Sequence, residues 1–379
     1  MFERTVEFIQ DTYDTKEFLP LHEPVFFGNE KKYINECIDS TFVSSVGKFV
    51  DQFEQMMATY TGSKYAIATV NGTAALHIAL KLVGTDACSE VITQPLTFIA
   101  TCNAISYCNA RPIFVDVDRT TMGLSPTSLA HFLETETEQK DGLCYNRTTG
   151  KKITAVVPMH TFGHPCKIDE IAILCQKHNI ALVEDAAESL GSYYKGQHTG
   201  TFGKVSAFSF NGNKTITTGG GGMIITNDEA LAKHAKHLTT TAKVPHSYEY
   251  IHDEIGYNYR LPNLNAALGC AQMETLDTII KKKRALAKSY AHFFTQEEIT
   301  FVSENSDTQV NYWLNALVLK NKAERDLFLQ ETNDKGVMTR PIWALMNRLD
   351  MFNKCQTTDL SNAIWLEERV VNIPSGVRL

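Results

Sequence analysis

Short apolar runs alternate with helical patterns over the first two-thirds of the sequence, and this alternation restricts the possible fold more than any other feature. Several runs, such as residues 153–158 and 180–184, are apolar at nearly every position rather than at every second one. Such runs are typical of strands that are buried on both faces, as in a parallel sheet covered by helices. The sequence therefore predicts an α/β fold with a mainly parallel sheet.

Seven of these runs are predicted as strands, and four of the stretches between them as helices. The predicted strands lie at residues 65–70, 90–93, 112–117, 153–158, 180–184, 205–210 and 223–226. The predicted helices lie at residues 73–83, 98–107, 168–178 and 228–238. Ligands of open α/β sheets bind at the carboxyl ends of the strands, so the residues just after these runs are the candidates for a functional site.

The pattern changes after about residue 240. Residues 262–292 carry Ala, Leu and Met at helical spacing and predict one long helix. A predicted strand at 312–319 and a charged helix at 322–333 follow it. We therefore expect a large α/β domain at 1–240 and a smaller α+β domain at 241–379.

Charge and cysteine content limit the possible functions. The net charge of −7 differs from the basic character that is typical of nucleic-acid-binding proteins, so no nucleic acid is expected as a partner. The nine cysteines are odd in number and include no C-x-x-C pair, so we expect reduced thiols and no structural metal site. A polar N-terminal sequence and the lack of an 18-residue apolar run favour a cytoplasmic protein without a membrane partner.

The tripeptide Asn71-Gly72-Thr73 lies between a predicted strand and a predicted helix. Gly72 permits a tight turn and close backbone approach, while the amide groups of the helix start and the Thr73 hydroxyl can bind an anion. The same tripeptide is more often a simple turn with a helix cap. Phosphate binding is therefore a candidate role that needs support from the other motifs.

Two acids, Glu184 and Asp185, end an apolar strand and precede two alanines and Glu188. A carboxylate at this position can hold a cationic ring nitrogen and keep its proton in place. Acids at strand ends also cap helices or bind magnesium, and the residues alone leave these alternatives open.

Lys214 follows the predicted strand 205–210 in a polar loop that leads to four glycines at 219–222. A partly desolvated lysine becomes nucleophilic and can form a Schiff base, although an arbitrary lysine in such a loop is usually exposed. The phosphate-binding loop of ATPases is excluded because Asn213 separates Gly212 from Lys214. No G-x-G-x-x-G follows a predicted strand, which disfavours a dinucleotide-binding fold.

The order of these motifs resembles that of the DegT/StrS family of sugar aminotransferases, which are pyridoxal 5'-phosphate (PLP) enzymes of fold type I. The segment G-Y-N-Y-R-L-P at 256–262 and the ending N-I-P-S-G-V-R-L at 372–379 strengthen this resemblance, which runs from about residue 19 to the end. T-R-P-I-W at 339–343 and F-V-S-S-V-G-K-F-V at 42–50 are similar to the branch that acts on 4-keto-6-deoxy sugars of UDP-N-acetylglucosamine.

The resemblance implies a fold type I architecture and a role for each candidate residue. Lys214 and Asp185 are the implied catalytic residues: Lys214 attaches PLP and later moves a proton, and Asp185 pairs with the pyridine nitrogen. Phe98 stacks on the ring, and Asn258 reaches the cofactor phosphate from the other subunit of a homodimer with shared active sites. Glu188 stands where the family more often has Gln or His. The implied cofactor-binding residues are Gly72, Thr73, Phe98, Asp185, Glu188, Ser209, Lys214 and Asn258.

The implied reaction transfers an amino group from L-glutamate to the 4-keto carbon of a nucleotide-linked 6-deoxy sugar in the synthesis of bacterial glycan sugars. UDP-2-acetamido-2,6-dideoxy-hexos-4-ulose is the expected acceptor. The alternatives are a 3-keto, dTDP-linked or GDP-linked sugar, or a PLP-dependent sugar dehydratase, although such dehydratases usually have His in place of the lysine. His160 is more consistent with a backbone-bonded histidine than with a ligand, and Arg340 with either an anion ligand or a structural ion pair.

Overall fold

The computed structural model describes residues 2–297 and 299–378. The strands are β1 Tyr65–Thr69, β2 Ser89–Thr93, β3 Arg111–Phe114, β4 Thr137–Lys140, β5 Leu143–Asn146, β6 Lys152–Val157, β7 Ala181–Asp185, β8 Tyr193–Tyr194, β9 Gln197–His198, β10 Val205–Ser209, β11 Gly222–Thr226, β12 Lys243–Val244, β13 Ile251–His252, β14 Thr300–Phe301, β15 Thr308–Gln309, β16 Asn315–Val318, β17 Arg340–Pro341 and β18 Val370–Ile373.

The α-helices cover the sheets and carry many of the connections between strands. They are α1 Glu3–Tyr13, α2 Glu30–Ser40, α3 Lys48–Thr61, α4 Gly72–Leu82, α5 Ile99–Tyr107, α6 Pro126–Thr135, α7 Ile168–Lys177, α8 Glu229–Thr239, α9 Asn263–Phe294, α10 Lys322–Asp334 and α11 Ser361–Glu367. Within the two described ranges, none of these helices combines the length and apolar character needed to cross a bilayer.

The main sheet has the order β1-β11-β10-β7-β6-β2-β3, and a hairpin of β4 and β5 attaches to β6. Strand β11 runs antiparallel to both of its neighbours, whereas the other neighbouring pairs in this order are parallel. These are the seven strands that the apolar runs predicted. The predicted α/β class and mainly parallel sheet are therefore confirmed.

Helices cover both faces of this sheet, because successive residues of each strand point to opposite sides. Ile224 packs with residues of α4, α5 and α8. Its neighbours Met223 and Ile225 pack on the other face with α3 and α9, and α6 and α7 cover the rest of that face. The continuous apolar character of the predicted strands follows from burial on both sides.

A second, antiparallel sheet of order β14-β16-β18-β17 follows the long helix α9. Its core includes Phe328 and Val371, together with Phe2, Val6 and Ile9 from the N-terminal helix α1. The chain thus returns its first helix to the C-terminal sheet. The domain boundary at residue 240 remains a prediction. Helix α1, although it precedes this boundary in the sequence, packs with residues that follow it.

The predicted strand at 312–319 is shorter in the structure, where β16 spans Asn315–Val318. Tyr312 has a φ of 49°, in the left-handed region, so the extended conformation cannot continue through it. Residues 311–314 consequently form an irregular segment beside the carboxyl edge of the main sheet.

Candidate active site

A cavity of about 640 Å³ lies at the carboxyl edge of the main sheet. It contains seven of the eight residues implied as cofactor ligands, which are Gly72, Thr73, Phe98, Asp185, Glu188, Ser209 and Lys214. These residues are separated by up to 142 positions in the sequence, and the ends of neighbouring strands bring them together. The eighth residue, Asn258, does not line the cavity of its own chain.

The start of helix α4 forms an anion-binding cradle beside strand β10. The side chain of Asn71 caps the helix by accepting a hydrogen bond from the Ala74 amide at 2.8 Å, and the earlier amides of the first turn have no acceptor within the helix. A Cβ atom on Gly72 would lie 2.7 Å from Cβ of Ser209. Only glycine therefore lets the amides of the helix start approach the Ser209 hydroxyl, as a shared phosphate requires.

Asp185 ends β7 and directs a buried carboxylate toward the cavity. Its Oδ2 accepts a hydrogen bond from Thr101 Oγ1 at 2.7 Å, and its Oδ1 accepts one from the Ala187 amide at 3.2 Å. Burial raises the pKa of Asp185, against the opposing effect of these hydrogen bonds and of Lys214. A cation bound in the cavity would favour the ionised carboxylate. The role of Thr101 was not predicted, and its only sequence signal is its position one helical turn after Phe98.

Glu184 points away from Asp185, which excludes the magnesium site considered from the sequence. Adjacent strand residues face opposite sides of a sheet. The fully buried Glu184 carboxylate accepts hydrogen bonds from the amides of Gly200, Phe202 and Gly203 at 2.7, 2.7 and 2.6 Å. Glu184 therefore organises a loop beneath the sheet, and the two acids do not converge on one ion.

His160 is the fourth partner of Glu184, with its Nε2 3.1 Å from Oε2 of the carboxylate. Its Nδ1 accepts a hydrogen bond from the Cys166 amide at 3.1 Å, which places the proton of the neutral ring on Nε2. His160 is fully buried and does not line the cavity. This confirms its interpretation as a backbone-bonded histidine.

Lys214 enters the cavity from the loop between β10 and β11. Its Nζ lies 3.2 Å from Oε1 of Glu188 and 3.8 Å from the centre of the Trp313 ring. The lysine side chain is 13% exposed and that of Glu188 is 2% exposed, so Lys214 is not the exposed loop lysine that the sequence left open. The second oxygen of Glu188 accepts a hydrogen bond from the Phe162 amide at 2.8 Å.

Burial raises the pKa of Glu188, and the charge of Lys214 opposes this shift. Glu188 stands where the family more often has Gln or His, and its carboxylate is paired with the Lys214 amine. This contact fixes the position of the lysine amine, and a role of Glu188 in binding the cofactor remains a prediction.

The wall formed by residues 311–314 and 340–344 was only partly predicted. Trp313 lies under Lys214 and donates a hydrogen bond from Nε1 to the Asn213 carbonyl at 2.7 Å, although the sequence predicted that it is part of a strand.

Arg340 lines the cavity and, within the described ranges, forms no ion pair with a carboxylate. That favours its interpretation as an anion ligand. Trp343 packs on Phe162, with 4.9 Å between the ring centres, and also lines the cavity.

These residues fit PLP on several independent points. Lys214 supplies the amine, Asp185 supplies a buried carboxylate for a ring cation, and the Gly72–Ser209 cradle suits a phosphate. Phe98 presents an aromatic ring at the cavity, where a planar group can stack on it.

Known proteins resemble this chain over nearly its whole length. The sequence pattern of the DegT/DnrJ/EryC1/StrS aminotransferase family matches residues 27–379. A GDP-perosamine synthase from Escherichia coli O157:H7 is 38% identical over 95% of this chain and 93% of its own. A GDP-perosamine synthase from Vibrio cholerae is 35% identical, with 94% of each chain covered.

A solved structure of an aminotransferase from Psychrobacter cryohalolentis superposes on the same fold. Its TM-score is 0.83 at 29% identity, and the match covers 94% of this chain and 93% of the other. Sequence pattern, relatives and fold thus agree with the arrangement of the cavity. The chain belongs to the DegT/DnrJ/EryC1/StrS aminotransferase family and is a sugar aminotransferase that uses pyridoxal 5'-phosphate.

Proposed function

We propose that this enzyme transfers the amino group of L-glutamate to the 4-keto carbon of a nucleotide-linked 6-deoxy sugar. The observation that carries the proposal is the convergence of the Lys214 amine and the buried Asp185 carboxylate in one cavity that also holds the Gly72–Ser209 cradle. A sugar has room to enter because the cavity volume of about 640 Å³ exceeds that of a cofactor alone.

When bound, PLP supplies an aldehyde that bonds to amines and a ring that accepts the electron pair of a broken C–H bond. Asp185 would hold a protonated ring nitrogen of the cofactor. Lys214 would hold the cofactor through its Nζ, and the same amine could take up and return a proton at the reacting carbon of the donor or the sugar. Glu188, 3.2 Å from Nζ, stabilises the lysine whenever it is a free ammonium.

Arg340 is the proposed ligand of an anionic substrate group. Its guanidinium can bind either the glutamate carboxylate or the sugar diphosphate with two parallel hydrogen bonds. Both substrates visit the same cavity in turn, so one arginine can serve both half-reactions. Arg340 lies on the short edge strand β17, and the pairing of β17 with β18 fixes the position of its backbone.

A homodimer completes the proposed site. Asn258 is exposed and lies outside its own cavity, which supports a contribution to the site of a neighbouring subunit. The segment before it exposes large apolar side chains, with Tyr248, Tyr250 and Ile255 at 81%, 83% and 83%. Exposed apolar surface of this kind is typical of protein interfaces, which supports a second copy as the partner.

The nucleotide of the acceptor is inferred from two relatives and from two sequence motifs. The two relatives named as GDP-perosamine synthases favour a GDP-linked acceptor. The motifs at 42–50 and 339–343 favour the UDP-linked 2-acetamido sugar as the second candidate. We propose the GDP-linked sugar first, because those relatives match along the whole chain.

The test offers the PLP-loaded enzyme both acceptors, each as a 4-keto-6-deoxy sugar, together with L-glutamate. Mass spectrometry should detect an amino sugar from one acceptor and an equal amount of 2-oxoglutarate. Dehydration of the sugar without 2-oxoglutarate would instead support the dehydratase. Failure to convert either acceptor, while glutamate still converts the cofactor to its amine form, would require a different sugar or keto position.

A further inference from the structure

Three side chains that can bind a metal ion, those of His237, Asp253 and Glu254, meet outside the active-site cavity, and His234 lies beside them. His234 and His237 lie three residues apart on α8 and therefore on one side of the helix. Asp253 and Glu254 follow strand β13 and face them. His237 Nε2 is 2.6 Å from Asp253 Oδ1 and 3.7 Å from Glu254 Oε1, and His234 Nε2 is 2.9 Å from the same Glu254 oxygen.

We propose that His237, Asp253 and Glu254 form a zinc site that fastens the excursion of residues 243–254 to helix α8. One imidazole and two carboxylates are nitrogen and oxygen donors that zinc accepts, and water can supply the fourth ligand. The excursion carries β12 and β13 and leads directly to the segment with Asn258.

The charges of the cluster favour a cation. Asp253 and Glu254 are adjacent acids, and in the described ranges neither forms a salt bridge with a lysine or arginine. The neighbouring lysines are engaged elsewhere, in the contacts Lys233–Glu229, Lys236–Glu54 and Lys243 with the Tyr250 ring. A divalent ion would neutralise both carboxylates at once, which neutral imidazoles do not.

The distances require little rearrangement for zinc. With bonds of about 2.0–2.2 Å, two ligands of a tetrahedral zinc lie roughly 3.3 Å apart. One ligand atom from each of His237, Asp253 and Glu254 lies within 4.8 Å of the other two. Replacing the hydrogen-bonded proton by one ion would therefore need only small side-chain movements. The partly exposed position of these three side chains gives the ion an open path from solvent.

A metal here would stabilise a segment that otherwise has few buried contacts. The strands β12 and β13 pair over only two residues, and Ile251 and His252 are exposed. On the basis of the proposed function, this segment leads to Asn258 at the dimer interface. Zinc would thus support the shared active site from outside the cavity, without touching substrate or cofactor.

The experiment uses the PLP-loaded protein without a histidine tag, freed of metal by chelator and then dialysed. Calorimetric titration with Zn²⁺ should give one ion per chain. His237→Ala should weaken zinc binding at least about 10-fold, as removal of a metal-supporting residue typically does. His246→Ala is the matched control, since His246 lies in the same excursion but outside the cluster, and it should bind zinc as the natural protein does.

Hydrogen exchange of the amides at 243–254 provides a second measurement. Zinc should slow this exchange in the natural protein and in His246→Ala but leave it unchanged in His237→Ala. The proposal would be overturned by the absence of a stoichiometric zinc ion, by equal zinc affinities of the two variants, or by an equal effect of zinc on exchange in both. Because zinc is the probe and no sugar is present, either result is independent of the assigned aminotransferase reaction.

Discussion

Lys214 and Glu188 form a buried pair, with 3.2 Å between the lysine Nζ and one carboxylate oxygen. The same lysine lies over Trp313, and the other oxygen of Glu188 is held by the Phe162 amide. Two contacts therefore orient the amine, and a third holds Glu188 in place. This preorganisation is consistent with its proposed role in two half-reactions that must occur at one place.

Replacing Lys214 by alanine should abolish transamination. We expect product formation to fall by at least about 1000-fold, because no other group replaces a covalent amine that also moves the proton. Glu188, left without its partner, can take up a proton, so the fold should survive. Mass spectrometry of the sugar and circular dichroism check the two parts, and activity within about 10-fold of the natural enzyme would contradict the mechanism.

Asp185→Asn should separate cofactor binding from folding. The amide keeps the size of the carboxylate and can still accept the Thr101 hydrogen bond, but it cannot balance a ring cation. Because burial raises the pKa of Asp185, removing the charge should leave the apoprotein at least as stable. We expect weaker PLP binding and a loss of kcat of about 100-fold or more. Thermal melting of the apoprotein and a PLP titration measure the two effects.

Thr101→Val is the companion to that variant. It removes only the hydroxyl that donates to Asp185 at 2.7 Å. Its effect on PLP binding should have the same direction as that of Asp185→Asn and should be smaller. A normal PLP affinity in Thr101→Val would contradict a role for this hydroxyl in holding the carboxylate.

Gly72→Ala should impair the phosphate cradle. The added Cβ would lie 2.7 Å from Cβ of Ser209, so the helix start or strand β10 must move. We expect PLP affinity to fall about 10-fold or more, with a stability loss of roughly 1–3 kcal/mol from the overpacking. Gly220→Ala is the matched control, because a Cβ there meets nothing within 4 Å. Equal PLP affinities of the two variants would exclude the cradle as the phosphate site.

Lys283 should make stability depend on pH in an unusual direction. Burial lowers its pKa to about 7, whereas the lysine is charged in the unfolded chain up to about pH 10. Its Nζ contacts the Trp313 and Ser375 carbonyls and His22 Nε2. A neutral amine satisfies these contacts by donating twice to the carbonyls and accepting once from the histidine.

Between pH 7 and about 10 the unfolded chain binds more protons than the native one at this residue. The free energy of unfolding attributable to Lys283 should therefore rise with pH over this window. Urea denaturation at pH 7, 8 and 9 should give a difference between the natural protein and Lys283→Met that grows in favour of the natural protein. A difference that is constant or shrinks with pH would indicate that Lys283 stays protonated in the fold.

The order of the motifs and the class of fold could be predicted from the sequence. Apolar runs reveal strands buried on both faces, and Gly72, Asp185 and Lys214 each follow one of these runs within a few residues. Since parallel strands end at a common edge, Gly72, Asp185 and Lys214 had to meet once the sheet formed. Seven of the eight implied ligands do line one cavity. The assignment of Asn258 to a second subunit remains a prediction.

Other features depend on contacts between distant parts of the chain. Glu184 and Asp185 look equivalent in sequence, yet the pleat of β7 sends one to a backbone loop and the other to the cavity. Trp313 lies 99 positions after Lys214 and reaches it only because the left-handed Tyr312 ends the extended segment. Local patterns determine which element forms and which face is buried. Which residues meet across that face depends on how the elements pack in three dimensions. Elements that are far apart in the sequence show no local pattern that would predict their contact.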